Sequence, residues 1–145
     1  RGLYLVNLLR CGACHTDGAL MGRPDFDRAL AGSSVGIAYT NPLDGNHPGV
    51  VFPSNLTPDR ETGLGNWSVD QIAEMVRMGT DNHGSQKLSV MPYPAYATLS
   101  TGDARAIAVY LSSLKPVRHQ VPYNVSPGQK SPGEYVHFGV YRSKE

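Results

Sequence analysis

The run Cys11-Gly12-Ala13-Cys14-His15 constrains this chain more than any other stretch. Positions i, i+3 and i+4 share one face of a helical turn, so two thiols and an imidazole project together. C-x-x-C-H is the attachment signature of c-type haem. On such a turn the thiols can reach the two vinyl groups along one porphyrin edge, and His15 can sit under the ring with a nitrogen toward the iron. The small Gly12 and Ala13 let the turn lie close to the macrocycle. Three other uses of two cysteines compete. A structural zinc site needs about four Cys or His ligands, usually with a second closely spaced pair. The chain has no third cysteine, and His47, His83, His119 and His137 are scattered. A thioredoxin-type redox pair wants a βαβ context, which the pattern lacks. A disulfide between Cys11 and Cys14 would close a tiny strained loop.

The chain has 145 residues, the length of one domain. It contains no apolar run long enough for a membrane-spanning helix. Its formal net charge is +1, without a basic stripe, so nucleic acid is not an expected partner. Helices are expected over residues 3–10, running into the haem motif, over 68–78 and over 100–114. Ser68 and Gln71 form a capping box, Val69, Ile72, Ala73 and Val76 keep a helical apolar period, and Gly79 stands where a C-terminal glycine belongs. Ser100 caps the last helix, whose apolar face is Ala104, Ile107, Ala108, Leu111 and Leu114, and Pro116 stops it. A short helical piece is expected near residues 93–99. The stretch between His15 and Trp67 is rich in turn signals and has little periodicity. A loop that long argues against a small compact domain, unless a large apolar cofactor supplies the core around which it wraps.

Four ordered motifs carry a family resemblance. Arg1–Val6 precedes the haem motif as Arg-Gly-x-Tyr-Leu-Val. Asn-Leu-Thr-Pro-Asp and Thr-Gly-Leu-Gly-x-Trp-Ser lie within Asn55–Ser68. Met-Pro-x-x-x-Tyr-x-x-Leu-Ser is Met91–Ser100, and Asp-x-x-Ala-Ile-x-x-Tyr-Leu-x-Ser-Leu is Asp103–Leu114. Over roughly residues 1–118 the chain resembles class I c-type cytochromes, in particular the monohaem domains of cytochrome subunits of bacterial periplasmic dehydrogenases. The resemblance implies an all-α cytochrome c fold: three to four helices and long loops around one haem c, held covalently through Cys11 and Cys14. Residues 1–118 would form the cytochrome domain, and 119–145 a proline-rich extended arm lying on it or on a partner, with a strand-like segment at 135–141.

His15 is the expected proximal iron ligand. Of the four methionines, Met75 and Met78 fall on a predicted helix and Met21 is too close to His15 in sequence to cross the ring. Met91, in a proline-flanked loop, matches the family's axial methionine; His83 and His137 are the rivals. His/Met ligation fills the iron and raises its potential, which favours electron transfer. The two haem propionates need polar partners, and the candidates are Asn55, Thr57, Arg60, Trp67 and Arg77. By resemblance the Trp67 indole donates to a propionate, and Tyr110 packs where the first and last helices cross, near Gly2 and Leu5. Tyr93 and Tyr96 are expected to wall the haem. The resemblance implies a non-enzymatic carrier passing single electrons from a periplasmic dehydrogenase to a cytochrome or oxidase. The alternatives are a subunit of a larger dehydrogenase complex and, from another class, a haem enzyme or gas sensor with an open iron. The implied compartment is the bacterial periplasm, reached with a signal peptide that this chain does not carry.

Overall fold

A computed structural model describes residues 1–44, 47–79 and 90–139. Its helices are α1 (Gly2–Leu8), α2 (Gly12–His15), α3 (Val69–Met78), α4 (Tyr93–Tyr96) and α5 (Thr101–Ser112), with strands β1 (Gly36–Ala38), β2 (Val50–Val51) and β3 (Tyr135–His137).

The sequence signals of α3 are realised in full. The Ser68 side chain accepts from the Gln71 N–H, and the Gln71 side chain accepts in return from the Ser68 N–H. Gly79 ends the helix at φ 68°, a conformation that glycine adopts without penalty. On α5 the Ser100 hydroxyl accepts from the Asp103 N–H at 3.0 Å. Its buried face is Ala104, Ile107, Ala108 and Leu111. Ile107 and Leu111 are 1% and 2% exposed, and burial of each side chain stabilises by about 1.5–3 kcal/mol.

The first helix does not run unbroken into the cysteine motif. Arg10 takes φ 60°. The Cys11 N–H donates to the Val6 carbonyl at 3.1 Å and the Arg10 N–H to the Asn7 carbonyl at 3.2 Å. This pair of bonds is a Schellman ending, in which the left-handed position is usually glycine. Here arginine fills it, and the chain turns so that Cys11 opens a new helical turn.

The expectation of an all-α fold is overturned. Among the described residues 34% are helical, in five short α-helices and two single 3-10 turns, beside a three-stranded mixed sheet. The strand order is β2-β1-β3: Ile37 pairs antiparallel with Val51 and parallel with Val136. Val125 bridges Val50. The physical reason is that the middle segment and the C-terminal segment satisfy each other's backbone groups and bury Ala38, Val50, Phe52 and Val125 together. The strands are two or three residues long, too short for an alternating pattern to register.

The larger core joins Val6 of α1, Ile72, Met75 and Val76 of α3, and the buried face of α5 to Leu30, Leu56 and Leu64 from the loops. Gly2 sets the α1–α5 crossing. A Cβ there would overlap the Ala106 carbonyl oxygen and lie 2.6 Å from Tyr110 Cβ. The crossing helps to position the cysteine motif, because only Leu9 and Arg10 separate α1 from Cys11.

Candidate haem site

Cys11, Cys14 and His15 share one helical turn. The His15 N–H donates to the Cys11 carbonyl at 3.0 Å, and Cys11 itself has helical dihedrals. Both cysteines are half-buried free thiols, so the disulfide alternative is not realised. Burial pushes both thiols up from their ordinary value, and at Cys11 the neighbouring Cys14 adds to the effect. They therefore stand as neutral S–H groups at neutral pH.

His15 is buried, and three loops fix it. Its Nδ1 lies 2.7 Å from the Ser54 carbonyl oxygen. A carbonyl only accepts, so Nδ1 carries a proton, and in the neutral imidazole the lone pair is then on Nε2. Its own carbonyl accepts from the Gly32 N–H at 2.8 Å. The next residue, Thr16, accepts at Oγ1 from the Leu30 N–H at 3.1 Å. This ordering of an imidazole by a backbone carbonyl is what a metal-binding histidine uses to fix its tautomer. Ser54 acts only through its backbone, which no sequence pattern announces.

The methionines separate cleanly. Met21 and Met78 are exposed, and Met75 belongs to the main core. Met91 is half-buried, and its carbonyl accepts from the Tyr93 N–H at 2.8 Å. Tyr93 packs its ring against Gly79, where a Cβ would come within 2.7 Å of it. Tyr96 is buried, and its hydroxyl donates to the Leu9 carbonyl at 3.3 Å. Burial raises the phenol pKa of both tyrosines, and the nearby Cys11 and Cys14 thiols push Tyr96 in the same direction. Helix α4 thus brings Tyr96, five residues beyond Met91, to the cysteine turn, and sets Tyr93 against the end of α3. Of the rival ligands, His137 is on β3 in register with Ala38, and His83 lies outside the described residues.

The expected propionate partners are dispersed. Asn55 and Thr57 are 1% exposed and face the segment after α5. Asn55 Nδ2 donates to Thr62 Oγ1 at 3.0 Å and to the Val117 carbonyl at 2.8 Å. Its Oδ1 accepts from the Thr57 N–H and hydroxyl. Arg60 is exposed, and Trp67 packs half-buried against the main core. Arg77, in the last turn of α3, has a buried Nε without a hydrogen-bond partner.

Two thiols one turn apart, beside an imidazole with a fixed tautomer, form the donor set that a covalently held haem takes. Thioether bonds need neutral or ionised sulfur within reach of one porphyrin edge, and half-buried free thiols on one face satisfy that. The chain is 36% identical over 121 residues to the cytochrome c subunit of the quinone-dependent alcohol dehydrogenase of Gluconobacter oxydans, an alignment of 83% of this chain and 22% of that protein. The chain is a homologue of bacterial dehydrogenase cytochrome c subunits. It is also 32% identical over 128 residues to the fructose dehydrogenase cytochrome subunit of Gluconobacter japonicus, covering 88% of the chain and 24% of the relative. The gluconate 2-dehydrogenase cytochrome c subunit of Pantoea cypripedii is 34% identical over 110 residues, covering 76% and 22%. No family model matches the chain. This cytochrome c homologue spans less than a quarter of the length of those three relatives. Among its described residues no helix is long and apolar enough to cross a membrane.

Proposed function

We propose that the chain is an electron-transfer module of a dehydrogenase cytochrome subunit, carrying one haem c attached through Cys11 and Cys14, with His15 and Met91 as its axial ligands. One observation carries the reading: Cys11, Cys14 and His15 stand on a single turn, with the imidazole already oriented by the Ser54 carbonyl. The single C-x-x-C-H motif supports one haem. When bound, the haem supplies a centre that takes up and releases one electron. The chain's own part is to hold that centre rigidly and dry. His15 is fixed by loops on either side of it, and Tyr96 closes the turn by bonding Leu9. Gly79 makes room for Tyr93 behind the Met91 loop.

The role of subunit rather than free carrier is supported by the relatives, three of which are cytochrome subunits of dehydrogenases. Its partners on this reading are a dehydrogenase as donor and a cytochrome or oxidase as acceptor. Haem c is attached outside the bacterial cytoplasm, which makes the periplasmic side its place of work. Residues 1–118 form the haem-carrying unit and 119–145 an arm upon it. Pairing of β3 with β1 and burial of Val125 support an arm fastened to the unit.

The test is the absorption spectrum of protein matured with haem, oxidised and reduced, with and without carbon monoxide, for the wild type and Met91→Ala. Denatured wild type should retain covalent haem. Its native spectrum should be low-spin and indifferent to carbon monoxide, whereas Met91→Ala should bind the gas. Absence of covalent haem overturns the proposal. A wild-type spectrum that shifts with carbon monoxide replaces it with an open-iron enzyme or sensor.

A further inference from the structure

His119 turns inward where its neighbours do not. Arg118 and Gln120 are exposed, yet the His119 side chain keeps only 9% of its surface. It stands beyond α5 and Pro116 on a segment without regular structure, so its bonds alone fix it. Its backbone N–H donates to Thr62 Oγ1 at 3.1 Å. Its ring Nδ1 lies 2.8 Å from the Ala31 carbonyl oxygen, and its Nε2 lies 3.2 Å from Ser34 Oγ. A carbonyl only accepts, so Nδ1 is the donor. Ala31 is 0% exposed, and a carbonyl so deeply buried takes a partner. Here an imidazole 88 residues away supplies one. The haem site described above makes no use of this histidine.

The peptide that His119 holds is also the one that holds His15. The Ala31 C=O and the Gly32 N–H belong to one planar amide, and that N–H donates to the His15 carbonyl at 2.8 Å. A bond accepted at the oxygen of an amide polarises its N–H and strengthens it as a donor. Gly32 has φ 89°, and a Cβ there would lie 2.5 Å from Val121 Cγ1 and 2.9 Å from the Pro53 carbonyl oxygen. Residues 119–121 therefore lie directly on the 31–32 peptide. The Ser33 N–H donates to the Pro53 carbonyl and the Leu56 N–H to the Leu30 carbonyl, so the same peptide is tied to the stretch whose Ser54 carbonyl takes the His15 ring proton. The Ser34 contact reaches the other flank, where Asp17, two residues past His15, accepts from the Ser34 N–H at 2.8 Å. We infer that His119 is a positioning residue for His15, holding the proximal imidazole through the 31–32 peptide. The inference rests on the haem reading above and extends it: the first residue of the arm belongs to the iron site.

The experiment uses the haem-loaded full chain as wild type, His119→Asn, His119→Gln and His119→Leu. The Asn amide nitrogen stands where Nδ1 stood and still donates to Ala31. The Gln amide reaches toward Ser34 instead, and Leu donates nothing. Covalent haem content is measured first. Hydrogen exchange then reads the Gly32 N–H against the buried amides of α5, and a redox titration at fixed pH reads the iron. A hydrogen bond from the ring N–H makes an imidazole ligand more basic, which favours oxidised iron, and firm placement of His15 keeps its bond to Ser54. His119→Leu should therefore speed Gly32 exchange about tenfold relative to the α5 amides. It should also shift the oxidised-to-reduced ratio about threefold toward the reduced form, a rise of ~28 mV for one electron. His119→Gln should follow His119→Leu, and His119→Asn should return both readouts to wild type. If His119→Leu does not fold, His119→Gln decides on the same readouts. A wild-type potential in both variants would overturn the inference whether or not Gly32 loosens, since His119 would then be a clasp of the fold alone. Equal acceleration of Gly32 and the α5 amides, or a His119→Asn chain that behaves like His119→Leu, would overturn it as well. Lack of covalent haem in the wild type would instead overturn the haem reading itself, with Gly32 exchange still deciding whether His119 holds the 31–32 peptide.

Discussion

Gly2 offers a test in which two readings differ in sign. If Gly2 is an ordinary helix-start glycine, Gly2→Ala removes backbone freedom from the unfolded chain and stabilises by roughly 0.5–1 kcal/mol. The crossing geometry says otherwise. The added carbon would sit 2.6 Å from Tyr110 Cβ and overlap the Ala106 carbonyl oxygen. Carbon atoms pack best about 3.5–4.0 Å apart, so α1 and α5 must part by roughly 1 Å. The obstacle is backbone and a Cβ, which no rotamer change can move. Such overpacking costs about 1–3 kcal/mol, more than the propensity gain. Gly102 on α5 is the internal control: a Cβ there meets nothing nearer than Ser100 Oγ at 3.9 Å. Gly102→Ala should therefore stabilise, and Gly2→Ala should destabilise by a net of about 1–2 kcal/mol. Urea unfolding read by circular dichroism, with equal m-values across the three proteins, measures both. A Gly2→Ala protein as stable as the wild type would refute the close crossing.

Two further outcomes follow from named contacts. Asn55→Ala strips partners from the Thr57 N–H and the Val117 carbonyl in a site that is 1% exposed; stability should drop by roughly 2–4 kcal/mol, measured by the same denaturation. The Asp103 carboxyl is held below the usual carboxylate range, first by its hydrogen bond from Arg1 and then by that from Ser100. Its folded value lies below the unfolded one, so its contribution to stability is present above the ordinary carboxylate pKa and is lost as pH falls through the folded value. An NMR titration should find Asp103 low in the wild type and shifted upward in Arg1→Ala.

The helices were legible because their determinants are local. Ser68, Gln71 and Gly79 bracket α3 within a dozen residues, and Ser100 marks the start of α5. The cysteine motif was legible for the same reason: its geometry is contained in one turn. The sheet was not legible, since β1, β2 and β3 each hold too few residues to show a period, and Gly36 pairs with Tyr135 across most of the chain. The sequence pattern carries the first helix through Arg10, because nothing in an arginine advertises a left-handed backbone. Asn55 and Thr57 stand in a short motif that makes them candidate propionate partners, and their hydrogen bonds to Val117 lie beyond what that motif shows. Their bonds to Val117 span about half the chain, a pairing that no local pattern encodes.

The docking of α1 against α5 has a kinetic consequence. Leu111 stands roughly a hundred residues after the cysteine motif, so α1 and α5 meet only by closing a long loop. Until α5 arrives, Val6 has no apolar face to bury against, and closing so long a loop is slow compared with forming a single turn. While α5 is undocked the two thiols sit on a loose segment, open, on the proposed reading, to the enzyme that joins them to haem. Moving α5 ahead of α1 by circular permutation would close that interval, and the permuted chain should mature less completely even where its finished structure is the same.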